Sequence, residues 1–182
     1  MPYRSELVAD TLAAQRVEVS IVTFGGQVET VCPFVTADHF QPPTLKVHGD
    51  TPMGAAILQG IDLLAQRKQF YRQQGLDFFR PWLWLFTDGG PTDDWRPAME
   101  QVHRGDANKT FYFWAVGVEG ADFNVLRQLS PPHRPPERLL ENRFREMFMW
   151  LSASQKSVSR SSPGQEDQVS FTRPTDAGWT SL

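Results

Sequence analysis

The stretch Trp82-Leu83-Trp84-Leu85-Phe86-Thr87-Asp88-Gly89-Gly90 decides the fold of this chain of 182 residues. Its first five residues are large and apolar and cannot all be hidden on one face of a half-exposed strand. Residues 82–86 therefore predict a central parallel strand that is buried on both faces. Asp88 and two glycines follow at once, which end the strand and let the backbone approach a ligand. Because ligands of open parallel sheets bind outside the carboxyl ends of the strands, Asp88 stands where a site is expected.

Strands and helices alternate on both sides of this stretch, which is the signature of a parallel α/β sheet. The predicted fold class is therefore α/β, with a doubly wound, mostly parallel sheet. A β-hairpin with its turn at Gly25-Gly26 precedes the central strand. The other predicted elements are a single helix around 7–12, a long helix ending at Gly75, a helix capped by Asp93 or Asp94, a buried strand over 110–116, a short helix capped by Asp122, a short strand at 138–140 and a closing helix from Phe144.

The composition indicates one globular domain followed by a polar tail. Hydrophobic residues make up 40% of the chain, which is enough for a substantial core. From residue 157 onward Ser, Gln, Gly, Pro and charged residues dominate. We therefore predict a domain over 1–156 and a disordered tail over 157–182, with Phe171 and Trp179 as weak docking points.

Charge and cysteine content exclude several classes of protein. The formal net charge is −3, which provides no electrostatic basis for binding nucleic acid or an anionic membrane. Cys32 is the single cysteine, so an internal disulfide is excluded, and we expect it to be a small buried residue. The sequence contains no apolar run that could span a bilayer and does not open with a signal peptide. We expect a cytoplasmic protein.

The second informative stretch is Gly49-Asp50-Thr51-Pro52-Met53-Gly54, for which two interpretations of Thr51 remain open. In the first, Thr51 caps the following helix, with Pro52 at the first helical position. In the second, its hydroxyl also faces a ligand near the strand ends. The stretch Gly49 to Gly54, taken alone, favours the first interpretation, in which Thr51 is a helix cap. His39 and His48 lie in the preceding polar loop, and we expect them to be solvated rather than metal ligands because no ligand spacing accompanies them.

Two stretches, Gly49-Asp50-Thr51-Pro52-Met53-Gly54 and Leu85-Phe86-Thr87-Asp88-Gly89-Gly90-Pro91-Thr92-Asp93, with Ile21-Val22-Thr23-Phe24-Gly25 ahead of them, resemble the von Willebrand factor type A (vWA) domain. More closely, residues from about Leu7 to Ser162 resemble the bacterial TerY group, which is linked to tellurite resistance and chemical-stress operons. That closer resemblance also rests on Arg80-Pro81-Trp82, on residues 113–122 and on residues 157–161. The resemblance implies the Rossmann-like vWA fold.

The resemblance also implies a metal-ion-dependent adhesion site (MIDAS) at the strand ends. Such a site combines an Asp-x-Ser-x-Ser turn, a threonine on a later loop and an aspartate after a later strand. Thr51 matches the threonine and Asp88 matches the aspartate. A site of this kind holds Mg²⁺ or Mn²⁺ through oxygen ligands and leaves a position for an acidic group of a partner. For the TerY group, the implied partners are a co-encoded protein kinase and a PP2C-type phosphatase.

The chain departs from the family pattern at its beginning. No Asp-x-Ser-x-Ser occurs before Val17, and the first strand of the family has no counterpart. In the family this strand is the middle of the sheet, beside residues 82–86. We expect the true start of the protein to lie upstream. The other explanation is a degenerate relative that lost its metal and fills the gap by oligomerising or by strand exchange.

Three functions follow from these features. The first is a non-enzymatic, metal-dependent interaction module of a stress response. The second is a hydrolase that uses Asp88, Asp93 and Asp94 around a metal. The third is a scaffold that works without metal. The first is favoured over the hydrolase because helix capping explains Asp93 and Asp94, and because the sequence shows no general base paired with an orienting residue.

Overall fold

The computed structural model describes residues 2–45, 49–141 and 143–181. The chain divides into two compact units. The first comprises Met1–Ile21, Thr30–Thr44 and Leu139–Leu182, and the second comprises Val22–Glu29 and Leu45–Arg138. The helices are α1 (Pro2–Val8), α2 (Thr11–Arg16), α3 (Met53–Gln73), α4 (Arg96–Ala107), α5 (Phe123–Leu129) and α6 (Phe144–Ser159), and a 3-10 helix spans Glu166–Gln168. The strands are β1 (Glu18–Gly25), β2 (Gln27–Thr36), β3 (Trp82–Thr87), β4 (Tyr112–Gly117), β5 (Glu137–Leu139) and β6 (Thr180–Ser181). Within the described ranges, no helix combines the length and apolar character needed to cross a membrane.

Strands β1 and β2 form the predicted hairpin as a two-stranded sheet of their own. Gly26 stands between them with a φ of 75°, which glycine adopts without steric cost. The hydroxyl of Ser20 donates to the carbonyl of Cys32 across the pair at 2.8 Å. Cys32 is buried, as the sequence predicted, and burial raises the pKa of its thiol.

The second unit is built on the parallel strands β3 and β4. Their register pairs Trp82 with Tyr112 and continues to Thr87 with Gly117. Strand β5 runs parallel to β4 on its other side. The parallel α/β arrangement expected from the alternation of strands and helices is therefore present.

The central position predicted for β3 is wrong for this sheet. Strand β3 comes first in the strand order and has β4 as its neighbour, while the β1–β2 hairpin forms a separate sheet. Consequently Trp82, Leu83, Trp84 and Phe86 are only half-buried, although Leu85 is 4% exposed. A run of apolar residues predicts that both faces of a strand can be buried. Among the described residues, however, β3 has a neighbouring strand on one side, which is β4.

Strands β3 and β4 present two different faces. On one face Leu83 packs against α3, where a Cβ built on Gly60 would lie only 2.8 Å from Leu83 Cδ1. Leu85 and Phe113 are buried. The alternate positions carry large rings, and Trp84 stacks on Trp114 with ring centroids 5.1 Å apart. We call this second surface the aromatic face, and it consists of Trp82, Trp84, Phe86, Tyr112 and Trp114.

The first unit begins with two helices where the sequence predicted one helix without a capping signal. Helix α1 ends at Val8 and α2 begins at Thr11. Asp10 lies between them and caps α2, because its Oδ1 accepts hydrogen bonds from the N–H groups of Leu12 at 3.1 Å and Ala13 at 3.0 Å. The prediction overlooked Asp10 as the capping residue.

The end of the chain also differs from the predicted disordered tail over 157–182. Helix α6 crosses the predicted boundary and ends at Ser159. Trp179 is fully buried, and its ring lies 5.5 Å from that of Trp150. The indole N–H of Trp150 donates to the carbonyl of Thr172 at 2.6 Å. Burial of one large aromatic side chain thus gives this polar segment an apolar anchor that average composition does not reveal.

Candidate interaction site

Asp88 lies at the carboxyl end of β3, where the sequence placed it, and its side chain is exposed. Its backbone is held against the turn that follows β4. A Cβ built on Gly120 would lie 2.5 Å from the Asp88 carbonyl oxygen, so only glycine fits at 120. The N–H of Val118 donates to the carbonyl of Thr87 at 3.0 Å and joins the same two loops. The Asp88 carboxylate therefore projects from a well-packed backbone.

Thr51 lies in the loop before α3 and is tied to the loop after β3. Its N–H donates to the hydroxyl of Thr92 at 3.0 Å, and the N–H of Thr92 donates to the Thr51 carbonyl at 2.9 Å. The hydroxyl of Thr51 lies 3.8 Å from the position of a Cβ on Gly89, the residue after Asp88. Within the described chain this hydroxyl makes no hydrogen bond. The structure thus brings Thr51 to the backbone that carries Asp88.

The predicted capping role of Thr51 is wrong. Helix α3 begins at Met53, and Pro52 occupies the N-cap position without a side-chain hydrogen bond. Asp93 caps the helix instead. Its Oδ1 accepts from the N–H of Gly54 at 3.0 Å and its Oδ2 accepts from the N–H of Ala55 at 2.8 Å. Sequence reasoning missed this cap because a local pattern cannot reveal a capping residue that comes from another loop.

Asp93 and Asp94 serve different helices. Asp94 lies at the start of α4, where its Oδ1 accepts from the N–H and the guanidinium of Arg96, both at 3.2 Å. The prediction that Asp93 or Asp94 caps α4 is wrong, because Trp95 occupies the N-cap position without a side-chain hydrogen bond. Asp88, Asp93 and Asp94, the three carboxylates considered for hydrolysis, therefore have different roles, because the Asp93 carboxylate accepts hydrogen bonds from the backbone of α3.

Asp122 is a neighbour of the site that sequence reasoning treated only as a cap. It does cap α5, accepting from the N–H groups of Asn124 at 2.9 Å and Val125 at 3.2 Å. Its Oδ2 also lies 3.7 Å from the position of a Cβ on Gly90. Thr51 and Asp122 thus lie beside Gly89 and Gly90, the two residues that follow Asp88. The adjacent residues Gly89 and Gly90 were the signal in the sequence that another backbone segment or a ligand approaches here.

We call the Thr51 hydroxyl and the Asp88 carboxylate the Thr51–Asp88 cluster. Its oxygen atoms are of the type that binds a divalent cation, but they are too few to complete a site. The Thr51 hydroxyl and the Asp88 carboxylate are hard oxygen ligands of the type that Mg²⁺ and Mn²⁺ take. Mg²⁺ prefers about six ligands, and two from the chain leave most positions to other donors. No group of three or more His, Cys, Asp or Glu side chains able to hold a metal occurs in the described ranges. The described residues therefore do not form a complete metal site.

Of the two histidines that the sequence singled out, the structure describes only His39. His39 is exposed, and its Nδ1 lies 2.9 Å from both Asp38 Oδ1 and Thr36 Oγ1 in its own loop. It joins no metal-binding group among the described residues. His48 lies outside the described residues.

Comparison with known proteins supports the fold. No protein-family model matches the chain, and no curated protein matches it. Among solved structures, the chain is similar to a von Willebrand factor type A protein from Catenulispora acidiphila, with a TM-score of 0.61 and 16% identity. The similarity covers 86% of this chain and 37% of that chain, so this chain spans little more than a third of that neighbour. The chain therefore has the α/β fold of a von Willebrand factor type A domain.

Proposed function

We propose that this chain is a protein-interaction module whose partner binds at the carboxyl ends of β3 and β4. One observation carries the proposal. The exposed Asp88 carboxylate stands at the end of β3, and the Thr51 hydroxyl lies beside the backbone that follows it. Loops held by backbone hydrogen bonds and by the Asp93 cap present both groups, which favours recognition without a large conformational cost.

We further propose that a divalent cation, Mg²⁺ or Mn²⁺, contributes to this contact. Thr51 and Asp88 would hold the cation from this chain. When bound, the cation would supply positive charge that attracts an acidic group of the partner. Because the chain offers few ligands, water and the partner must supply the others, and affinity for the cation alone should be weak. In this role the protein binds and does no covalent chemistry.

The resemblance to the TerY group supports a role in a bacterial stress or tellurite-resistance system. On this proposal the protein acts in the cytoplasm, and its partners include a co-encoded protein kinase and a PP2C-type phosphatase. Neither a nucleic acid nor a membrane is proposed as a partner, because the net charge of the chain is −3 and gives no electrostatic attraction to an anionic surface.

The test is capture of the purified kinase and phosphatase by the full chain, measured by biolayer interferometry with Mg²⁺, Mn²⁺ or EDTA. We expect Asp88→Ala and Thr51→Ala to weaken capture at least about tenfold, which corresponds to about 1.4 kcal/mol. Asp94→Ala is the matched control, because Asp94 is an exposed carboxylate on the same loop outside the Thr51–Asp88 cluster. Equal affinities for Asp88→Ala and the parent chain would overturn the proposal.

A metal-free scaffold is the second candidate, and the small number of metal-binding side chains among the described residues favours it. It predicts that EDTA changes neither the melting temperature nor partner capture. Melting of the parent chain with and without Mn²⁺ separates the two candidates, with Asp88→Ala as the comparison. Turnover of a generic phosphatase substrate with Mn²⁺, lost in Asp88→Asn, would instead indicate a hydrolase.

A further inference from the structure

An open cleft with a volume of about 170 Å³ lies between α3 and α4, within the second unit. We call it the α3–α4 cleft. Its apolar lining comes from Ile61 of α3 and from Phe111 in the segment that leads into β4. Polar residues complete the lining, namely Gln101, Arg104, Asn108 and Thr110. An apolar lining with a few polar groups is typical of a small-molecule site. None of these residues belongs to β3 or to the Thr51–Asp88 cluster.

Three basic side chains border the α3–α4 cleft without a carboxylate partner. Arg104 lines the cleft itself. Lys68 donates from Nζ to the carbonyl of Thr110, another lining residue, at 3.1 Å. Arg72 lies one turn beyond Lys68 on α3. Within the described ranges none of the three forms an ion pair, although the chain as a whole has a net charge of −3. The cleft is therefore a positively charged region of an acidic protein.

The repulsion within this group of bases affects Lys68. Burial is the largest cause that lowers the pKa of Lys68, and the positive charge of Arg72 lowers it further. Other basic side chains of the described chain are bound by carboxylates, as in Arg96, Lys156 and Arg160. A bound anion would supply the missing negative charge and stabilise the charged form of Lys68. The charge pattern therefore indicates an anionic ligand.

The shape of the cleft depends on glycine at 105. A Cβ there would collide with the Phe111 ring and would lie 3.1 Å from the Thr110 hydroxyl oxygen. Glycine thus lets the Phe111 ring pack against α4 beside the cleft. Pockets for drug-sized ligands have volumes of about 300–1,000 Å³. The α3–α4 cleft is smaller, so it suits a ligand with about one ring.

We propose that the α3–α4 cleft binds a small organic anion. The apolar part of the ligand contacts Ile61 and Phe111, and its anionic group lies beside Arg104 and Lys68. A guanidinium group donates two parallel hydrogen bonds to a carboxylate or to a phosphate, so both kinds of anion have the required chemistry. This site goes beyond the proposed function, because it needs neither a divalent cation nor a protein partner.

The test is a titration of the full chain with benzoate or with phenyl phosphate, from about 0.1 to about 20 mM, the range expected for ligands of this size. Heteronuclear NMR follows the backbone amides. We expect saturable shifts at Gly105, Asn108 and Thr110 with at least one probe, and the probe that binds more tightly identifies the anionic group. Benzyl alcohol has the same ring without a charge and should bind at least about tenfold more weakly. Absence of saturable shifts with both anions, or equal affinity for benzyl alcohol, overturns the proposal.

A charge-removing variant tests the position of the anionic group. Arg104→Gln should weaken binding of the anion at least about tenfold, because it removes hydrogen bonds from a charged donor. Arg127→Gln is the matched control and should leave the affinity unchanged, because Arg127 is an exposed arginine on α5 that donates to Asn124 at 3.0 Å. Equal affinities of Arg104→Gln and the parent chain would contradict the proposed site.

The pKa of Lys68, followed by NMR of its side chain, is a second readout. A saturating anion should raise this pKa, because a nearby opposite charge stabilises the charged form. Lys156 is the reference and should not change, since it is already paired with Glu6 at 3.1 Å. An unchanged pKa of Lys68 at saturation would overturn the arrangement. None of these experiments contains a divalent cation or a partner protein, so failure of the cleft proposal leaves the proposed function to its own test.

Discussion

The Asp93 carboxylate holds the first turn of α3 at Gly54, 39 residues earlier in the chain. Room for this contact depends on glycine at 54, because a Cβ there would lie 2.8 Å from Trp95 Cα and 2.9 Å from the Asp94 carbonyl oxygen. The loop after β3 and the start of α3 are therefore joined by a hydrogen bond and by close packing. Thr51 precedes α3, and Asp88 begins the loop after β3.

Removal of the Asp93 carboxylate should destabilise the protein. We expect Asp93→Ala to lower the free energy of unfolding by about 1 kcal/mol, the usual cost of losing a helix cap. Urea denaturation followed by circular dichroism measures this change. Asp94→Ala is the control and should cost less than about 0.5 kcal/mol, because its contacts with Arg96 are exposed. Equal losses in the two variants would contradict the assignment of Asp93 as the cap of α3.

The buried ion cluster around Asp106 should be sensitive to loss of its carboxylate. Asp106 is 7% exposed at its side chain and binds Arg80 and Arg134, which are 11% and 14% exposed. Asp106→Ala leaves two buried guanidinium groups without their counter-ion, which typically costs about 3–5 kcal/mol. Chemical denaturation measures the loss. Asp176→Ala removes an exposed ion pair with Arg173 and should cost less than about 1 kcal/mol. A loss of similar size in both variants would show that the Asp106 cluster contributes little.

Trp179 should be required for stability even though it lies in a polar segment. It is fully buried beside Trp150, and replacing a buried tryptophan with alanine typically costs about 3–5 kcal/mol. The thermal midpoint and the fluorescence of Trp179→Ala report this loss. Ser170→Ala changes an exposed residue of the same segment and should leave the midpoint unchanged. An unchanged midpoint in Trp179→Ala would instead support the disordered tail predicted from composition.

Asp10 should make stability depend on pH in the acid range. The hydrogen bond from the Ala13 N–H is the largest cause that lowers the pKa of Asp10, and the Arg160 guanidinium at 2.6 Å adds to it. A lowered folded-state pKa means that the contribution is present above the unfolded value, about 3.9, and is lost as pH falls through the folded value. Melting temperatures between pH 2.5 and pH 7 should therefore fall less steeply below about pH 4 in Asp10→Asn than in the parent chain. Parallel curves for the two proteins would rule out this role.

Local patterns predicted most of the elements because each depends on a few neighbouring residues. The hairpin at Gly26 needed a positive φ, and the α5 cap needed an acceptor at Asp122; both signals lie within a short stretch. The position of Asp88 after β3 followed from the apolar run that precedes it. The two helices at the start were missed because Asp10 was not considered as a cap.

The sequence by itself determined that the chain is a parallel α/β protein, with Asp88 at a strand end and a helix beginning near Thr51. These features follow from hydrophobic periodicity and from backbone preferences of single residues. Only the tertiary structure decided that Asp93 rather than Thr51 caps α3, that β3 lies at the end of its sheet and that Trp179 is buried. Each of these depends on which distant segment supplies a hydrogen bond or an apolar surface, and local sequence contains no information on that choice.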